Sequence, residues 1–211
     1  MHVICPLEFE RSRLARAARA RGWIVHCSGP GRGGIEHWAT TNPIPAGTTV
    51  ILAGVAGALK PSALSGMAVT ATVILDECGG MWHPRCIGTH TLSQTSVRCL
   101  SAETMLQTPA AKAAAAARWN ADIVDMESAA FARIAESAGW HWGVVRGISD
   151  GCTDALPEGV EQWTDTKGGT RIGAVLGTLV RHPTRLPQLM ALARRSGAAM
   201  RAVEQMLAER F

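Results

Sequence analysis

Residues 50–59 read VILAGVAGAL, ten consecutive positions with no side chain that can ionise. The run is far short of the roughly 20 residues that cross a bilayer, so its apolar surface has to be covered by the rest of a globular chain. It reads as a buried strand running into a glycine turn. HVIC (2–5) reads as a short strand ended by Pro6, and LEFERSRLARAARARG (7–22) as a charged helix stopped by Gly22. WIVHCS (23–28), the β-branched AVTATVILDE (68–77) and HWGVVRGIS (141–149) read as further strands. Helices are predicted over IEHWATTN (35–42), about 109–118 and 123–138, with two more in 171–211 separated by HPTRLP. Residues 78–101 look irregular, and 151–169 is a turn-rich surface loop beside the site. This alternation predicts one domain over 1–211, an α/β fold of three α/β/α layers with a mostly parallel central mixed sheet, closed by carboxyl-terminal helices over 171–211.

Composition narrows the class. With 211 residues, 47% of them hydrophobic, the chain can bury a substantial core as a single soluble domain. The net charge of +4 comes mostly from arginine and is too mild to point to a nucleic-acid partner. Six cysteines lie scattered without a repeated CxxC pair, and no signal peptide is apparent, so a cytoplasmic location with reduced thiols is expected.

Two motifs are decoys. GPGRGG (29–34) spells GxGxxG, but no Asp or Glu stands between Glu36 and Asp76 to hold a dinucleotide ribose. The glycines therefore read as a tight turn. Cys78, His83, Cys86 and His90 have ligand-type side chains, but their spacing fits no standard tetrahedral zinc site. No metal and no cofactor are expected.

Three carboxylates carry the functional signal. Ligands of open α/β sheets bind at the carboxyl ends of strands. Glu8 and Glu10 open the helix after the first strand, and Asp150 ends the strand VVRGIS. Around VDMESAAFARIAE (124–136), Ile123, Ala130, Phe131, Ile134 and Ala138 recur as an apolar helical stripe, and Met126 and Glu127 fall inside it. A carboxylate there needs a donor, because burying it bare costs several kcal/mol. Each has a plainer reading: Glu10 as a first-turn residue on the helix dipole, Asp150 as a turn residue before Gly151, Glu127 as the partner of Arg146.

DMESAAFARIAESAGWHWGVVRGISD resembles the segment of the purine nucleoside phosphorylase and methylthioadenosine/S-adenosylhomocysteine nucleosidase superfamily in which a Met-Glu pair precedes a strand ending Arg-x-Ile-Ser-Asp. ILAGVAGAL (51–59) is similar to that superfamily's glycine-rich turn, and CLSAETML (99–106) to the segment bordering its purine base. The end of the chain, RHPTRLPQLMALARRS, looks most like the hopanoid-associated branch, whose members are implicated in removing adenine from adenosylhopane. The resemblance implies an enzyme that breaks the N-glycosidic bond of a purine nucleoside, usually as a homo-oligomer. Asp150 would be the acid to the departing base, oriented by Ser149, and Glu127 would hold the ribose hydroxyls with Met126 packed on the sugar. Glu10 would activate water, with Glu8 as the fallback. Gly54, Val55 and Ala56 would border the substrate, and Ser101, Ala102 and Met105 would line the base pocket.

The nucleophile stays open between water and inorganic phosphate as a co-substrate. The superfamily's phosphorylases commonly carry an arginine before, and a serine within, the central glycine turn, and here Val55 stands in the serine's place. Arg32 in GPGRGG is either the substitute phosphate ligand or a solvated side chain. The presence of Glu10 tips the reading toward hydrolysis, while the hopanoid-type resemblance favours phosphorolysis. A nucleoside-binding protein without catalysis is the contrasting class. In the last helix, Leu186, Leu189, Met190, Ala193, Met200, Val203 and Leu207 share a stripe with arginines largely elsewhere. That stripe either docks on the sheet or makes a peripheral membrane contact.

Overall fold

A computed structural model describes residues 1–85, 96–157, 165–170 and 186–211. The elements run β1 (His2–Cys5), α1 (Glu8–Arg21), β2 (Ile24–Cys27), α2 (Gly31–Thr41), β3 (Thr49–Ala58), β4 (Ala68–Asp76), β5 (Met81–Trp82), β6 (Ser96–Ser101), α3 (Pro109–Trp119), β7 (Ile123–Asp125), α4 (Ser128–Ser137), β8 (His141–Asp150) and α5 (Leu186–Arg210). The predicted helix at the start of 171–211 lies outside the described residues.

The architecture is the expected α/β one, with a mixed eight-stranded sheet. β1 runs parallel to β2 and β3, and β3 runs parallel to β8. The sheet also closes on itself: β8 pairs antiparallel with β4, β4 parallel with β6, β6 parallel with β7, and β7 antiparallel with the end of β3. Alternate residues of the central strands face opposite layers, as the two-residue period requires. Ile4, Leu52 and Val144 pack with Ile35, Trp38, Phe131 and Ala135 of α2 and α4. Val3, Ile51 and Val145 pack with Leu14 and Ala18 of α1 and Met200, Val203 and Leu207 of α5.

Four boundaries differ from the sequence expectation. VILAGVAGAL does not turn at its glycines but stays extended to Ala58, because β8 supplies hydrogen bonds along its length. The irregular stretch 78–101 holds β5 and β6, and β6 is a central strand paired on both sides. GPGRGG is more than a turn: Gly29 and Gly31 take the left-handed φ values of 85° and 69° that glycine tolerates, and α2 already begins at Gly31.

The fourth correction concerns the stretch around Glu127. Ile123 is not on a helix but in β7, and Glu127 precedes the first turn of α4. Asp125 makes the break: its carboxylate accepts from the backbone N–H groups of Glu127 (3.3 Å) and Ser128 (3.1 Å) and from the Ser128 hydroxyl. This satisfies donors that a helix start leaves orphaned.

Among the described residues, α5 packs on the sheet through Met200, Val203 and Leu207 in its second half, while Leu186 and Met190 are exposed. No helix among the described residues is long and apolar enough to cross a membrane.

Candidate active site

The carboxyl ends of β1, β3, β7 and β8 bring the candidate residues together. Arg146 is their centre, fully buried on β8 in register with Gly54 of β3. It donates to Asp125 from Nε at 2.8 Å and from Nη2 at 2.6 Å, and reaches Glu127 Oε2 from Nη2 at 3.3 Å. Glu127 accepts on its other oxygen from the Gly31 N–H at 2.7 Å, the amino end of α2. The Glu127–Arg146 pairing read from the sequence is therefore present, but Asp125 holds the guanidinium more closely.

Glu10 stands in the first turn of α1, as the plainer reading has it, and also reaches β3. Its Oε2 accepts from the Leu7 N–H (2.8 Å), as a carboxylate in the first turn of a helix does, and its Oε1 accepts from the Val55 N–H (2.7 Å). It is only 1% exposed. Glu8, the fallback, faces solvent and pairs with Arg11, so it takes no part in this cluster. Arg32, the substitute phosphate ligand, pairs with Glu36 on the exposed face of α2.

A glycine makes room at the centre. A Cβ on Gly54 would stand 2.7 Å from both Arg146 Nη1 and Glu10 Oε1. Arg146 Nη1 is buried and has no hydrogen-bond partner among the described residues. An unpaired buried donor between carboxylates marks a place for a small acceptor.

Burial pushes Glu10 up to about 8, against the opposing pull of Arg146 and of the Val55 and Leu7 N–H groups; nearby Glu127 adds to the rise. Burial also raises Glu127, opposed by Arg146. Burial pulls Arg146 down, but Asp125 and Glu127 outweigh it and hold the guanidinium above its ordinary range.

The second half of the site is built on β8. Ser149 Oγ donates to Asp150 Oδ1 at 2.6 Å and lies 3.2 Å from the Ala56 carbonyl. Asp150 Oδ2 pairs with Lys112 Nζ of α3 at 2.5 Å, and both side chains are buried. A cavity of about 410 Å³ opens on Asp150 between the 151–157 segment and the start of α5, lined also by Asp154, Leu156, Gln188 and Arg195. Two consecutive residues of β3 join the halves: Val55 holds Glu10 and Ala56 meets Ser149.

Met126 is half-buried beside Glu127. Ser101 is in register with Asp125, and the Ala102 N–H donates to the Asp125 carbonyl at 2.8 Å, which sets both beside the carboxylate cluster. Met105 is half-buried beyond them. Cys86 and His90 lie outside the described residues, so the Cys/His set is not described as a whole; Cys78 and His83 are exposed.

Sequence reasoning missed Asp125 and Lys112. Asp125 stands next to the Met-Glu pair, and the mistaken helix boundary hid it. Lys112 sits in PAAKAAAAARW, where a single lysine in an alanine helix gives no sign of facing inward.

Residues 88–181 match the model of the Phosphorylase superfamily. No curated protein matches the chain by sequence. Among solved structures, the 5'-methylthioadenosine/S-adenosyl homocysteine nucleosidase (MTAN) of Helicobacter pylori superposes with a TM-score of 0.63 at 13% identity, covering 99% of this chain and 97% of that one. The futalosine hydrolase of Helicobacter pylori gives 0.63 at 12% identity over 99% and 97%. An MTAN variant of Chlamydia trachomatis bound to MTA gives 0.61 at 13% over 100% and 98%. The chain thus has the α/β fold of these nucleosidases, and its residues 88–181 are similar to the Phosphorylase superfamily.

Proposed function

We propose that this protein cleaves the N-glycosidic bond of a purine nucleoside, adenosine or a 5'-substituted adenosine, with water as the nucleophile. The observation that carries the reading is the pair of neighbours on β3. Val55 and Ala56 set a buried carboxylate, Glu10, and a Ser149–Asp150 dyad side by side at the ends of parallel strands. Glycoside hydrolysis uses that division of labour, one carboxylate for water and one acid for the leaving group. A water held between the two side chains that flank Gly54 would donate to Glu10 and accept from Arg146 Nη1. Phosphate fits worse, since the Val55 N–H that would cradle it is already committed to Glu10. The relatives by fold include proteins named as nucleosidases and a hydrolase, which favours water further. Glu127 would accept from the ribose hydroxyls, and Met126, Ser101, Ala102 and Met105 would border sugar and base.

The test is an assay for free adenine from adenosine, methylthioadenosine and adenosylhopane, each with and without inorganic phosphate. Adenine without phosphate is expected. Adenine only with phosphate would instead support phosphorolysis and the hopanoid branch. Binding without release from any of the three would leave a nucleoside-binding protein.

Glu10 sets a pH dependence. With its carboxyl raised to about 8 by burial, a water-activating base is mostly protonated at neutral pH, so hydrolysis is expected to rise with pH through about 8. Stability runs the other way. An unfolded glutamate ionises near 4.5 and the folded one near 8, so between those values the folded state holds the extra proton and loses stability as pH rises. The groups facing Glu10 are Arg146, Glu127 and Cys5; Glu127 is raised as well and adds in the same direction, while burial holds the Cys5 thiol neutral. Glu10→Gln is expected to abolish hydrolysis and to flatten the slope of the urea midpoint between pH 5 and 8. An unchanged slope would remove Glu10 as its source.

A further inference from the structure

Lys112 leaves α3 inward and ends 1% exposed, against Asp150. Its Nζ lies 2.5 Å from Asp150 Oδ2, 2.8 Å from the Gly151 carbonyl and 3.0 Å from the Asp154 carbonyl. An ammonium has three hydrogens, and each has an acceptor. Asp150 is thus an ion-paired carboxylate with both oxygens engaged, and a carboxylate has no proton to give a departing base. The acidic hydrogens that touch it belong to the Lys112 ammonium and the Ser149 hydroxyl, and an alkylammonium is a far stronger acid than an alcohol.

We propose that Lys112 is the proton reserve behind Asp150, so that the acid of the reaction is the pair. The proposal rests on the base-cleavage reading above. As the bond from C1′ to the base nitrogen breaks, its electron pair leaves on the purine. A proton passes from Lys112 Nζ to Asp150 Oδ2, breaking N–H and forming O–H, and then from Oδ2 to the purine nitrogen. Lys112 is left as a neutral amine whose two remaining hydrogens still meet the carbonyls of Gly151 and Asp154, while Asp150 Oδ2 lacks its Lys112 donor until the proton is restored. Water returns the proton when the base departs. The other charged groups around the pair are Asp154 and Arg195 of α5, which neutralise each other at 2.6 Å and leave the proton balance to Lys112 and Asp150.

Two variants test this, on a purine nucleoside and on 4-nitrophenyl riboside, whose leaving group departs without a proton. Lys112→Arg keeps the positive charge but does not release a proton. Its kcat on the nucleoside is expected to fall by about 10²–10⁴, the usual worth of general acid catalysis. KM and the rate on the nitrophenyl riboside should stay within a few-fold of wild type. In Lys112→Met the nucleoside rate relative to the nitrophenyl riboside rate, which shares the Glu10 dependence, is expected to rise toward acid pH, where Asp150 takes its proton from water. Urea midpoints identify which variants are folded, and Lys112→Arg alone suffices. Wild-type turnover by Lys112→Arg, or equal losses on both substrates with an unmoved pH profile, would overturn the proposal and leave Lys112 a clamp. No base from the wild-type protein would instead overturn the cleavage reading itself.

Discussion

Asp150→Asn is expected to bind its nucleoside within a few-fold of wild type while turnover falls by about 10²–10⁴. The amide keeps an oxygen for hydrogen bonding but cannot pass a proton to the base. Calorimetry with a non-cleavable nucleoside and an adenine-release assay separate the two quantities, and an active variant would remove Asp150 from its role. The substitution also has a structural cost. It leaves the Lys112 ammonium buried with two carbonyls and no counter-charge, and breaking one side of a buried pair costs about 3–5 kcal/mol. Combining it with Lys112→Met removes both charges, so the double variant is expected to regain stability without regaining turnover. The two effects of Asp150 can thereby be read apart.

The largest effect on stability is expected from Arg146→Met. Arg146 is fully buried and is the cation shared by Asp125 and Glu127, with Glu10 close by. Methionine fills much of the volume but leaves these carboxylates without a counter-charge, at a cost of at least about 3–5 kcal/mol. The loss has a pH signature. Uncompensated carboxylates in the folded state hold protons to higher pH than unfolded ones, so the folded state binds more protons and the variant gains stability as pH falls. Urea unfolding at pH 5 and pH 8 should therefore show a larger deficit at pH 8. An equal deficit at both would mean that lost packing, not lost charge, sets the cost.

Much of the fold was legible because its signals are local. The charge-free run 50–59, the β-branched run 68–77 and the glycine stops at 22 and 139 are written in consecutive residues, and they settle α/β alternation. What escaped depends on distant partners. Extended backbone through Gly54 and Gly57 is held by β8, and the closing of the strand ring is not a property of any one segment. β7 is three residues long, too short for a period to distinguish it from the helix that follows. The site shows the same division. Glu10, Glu127, Ser149 and Asp150 could be named from position and resemblance. Asp125 was hidden by a misplaced boundary, and Lys112 by a helix whose composition gives it no preferred face.

The strand ring also orders events in time. Thr49 of β3 pairs with His141 of β8, and its other long neighbour, β1, covers only His2 to Ile4. During synthesis at about 5–20 residues per second, β3 therefore waits roughly 5–20 s for the strand that completes its hydrogen bonding. Over that interval the most apolar segment of the chain has an open edge, and the guanidinium that belongs beside Gly54 has not yet been made. Glu10 and Asp125 are translated before their common counter-charge. The nascent chain thus has no stable form of this pocket, and its assembly coincides with the arrival of β8 rather than preceding it.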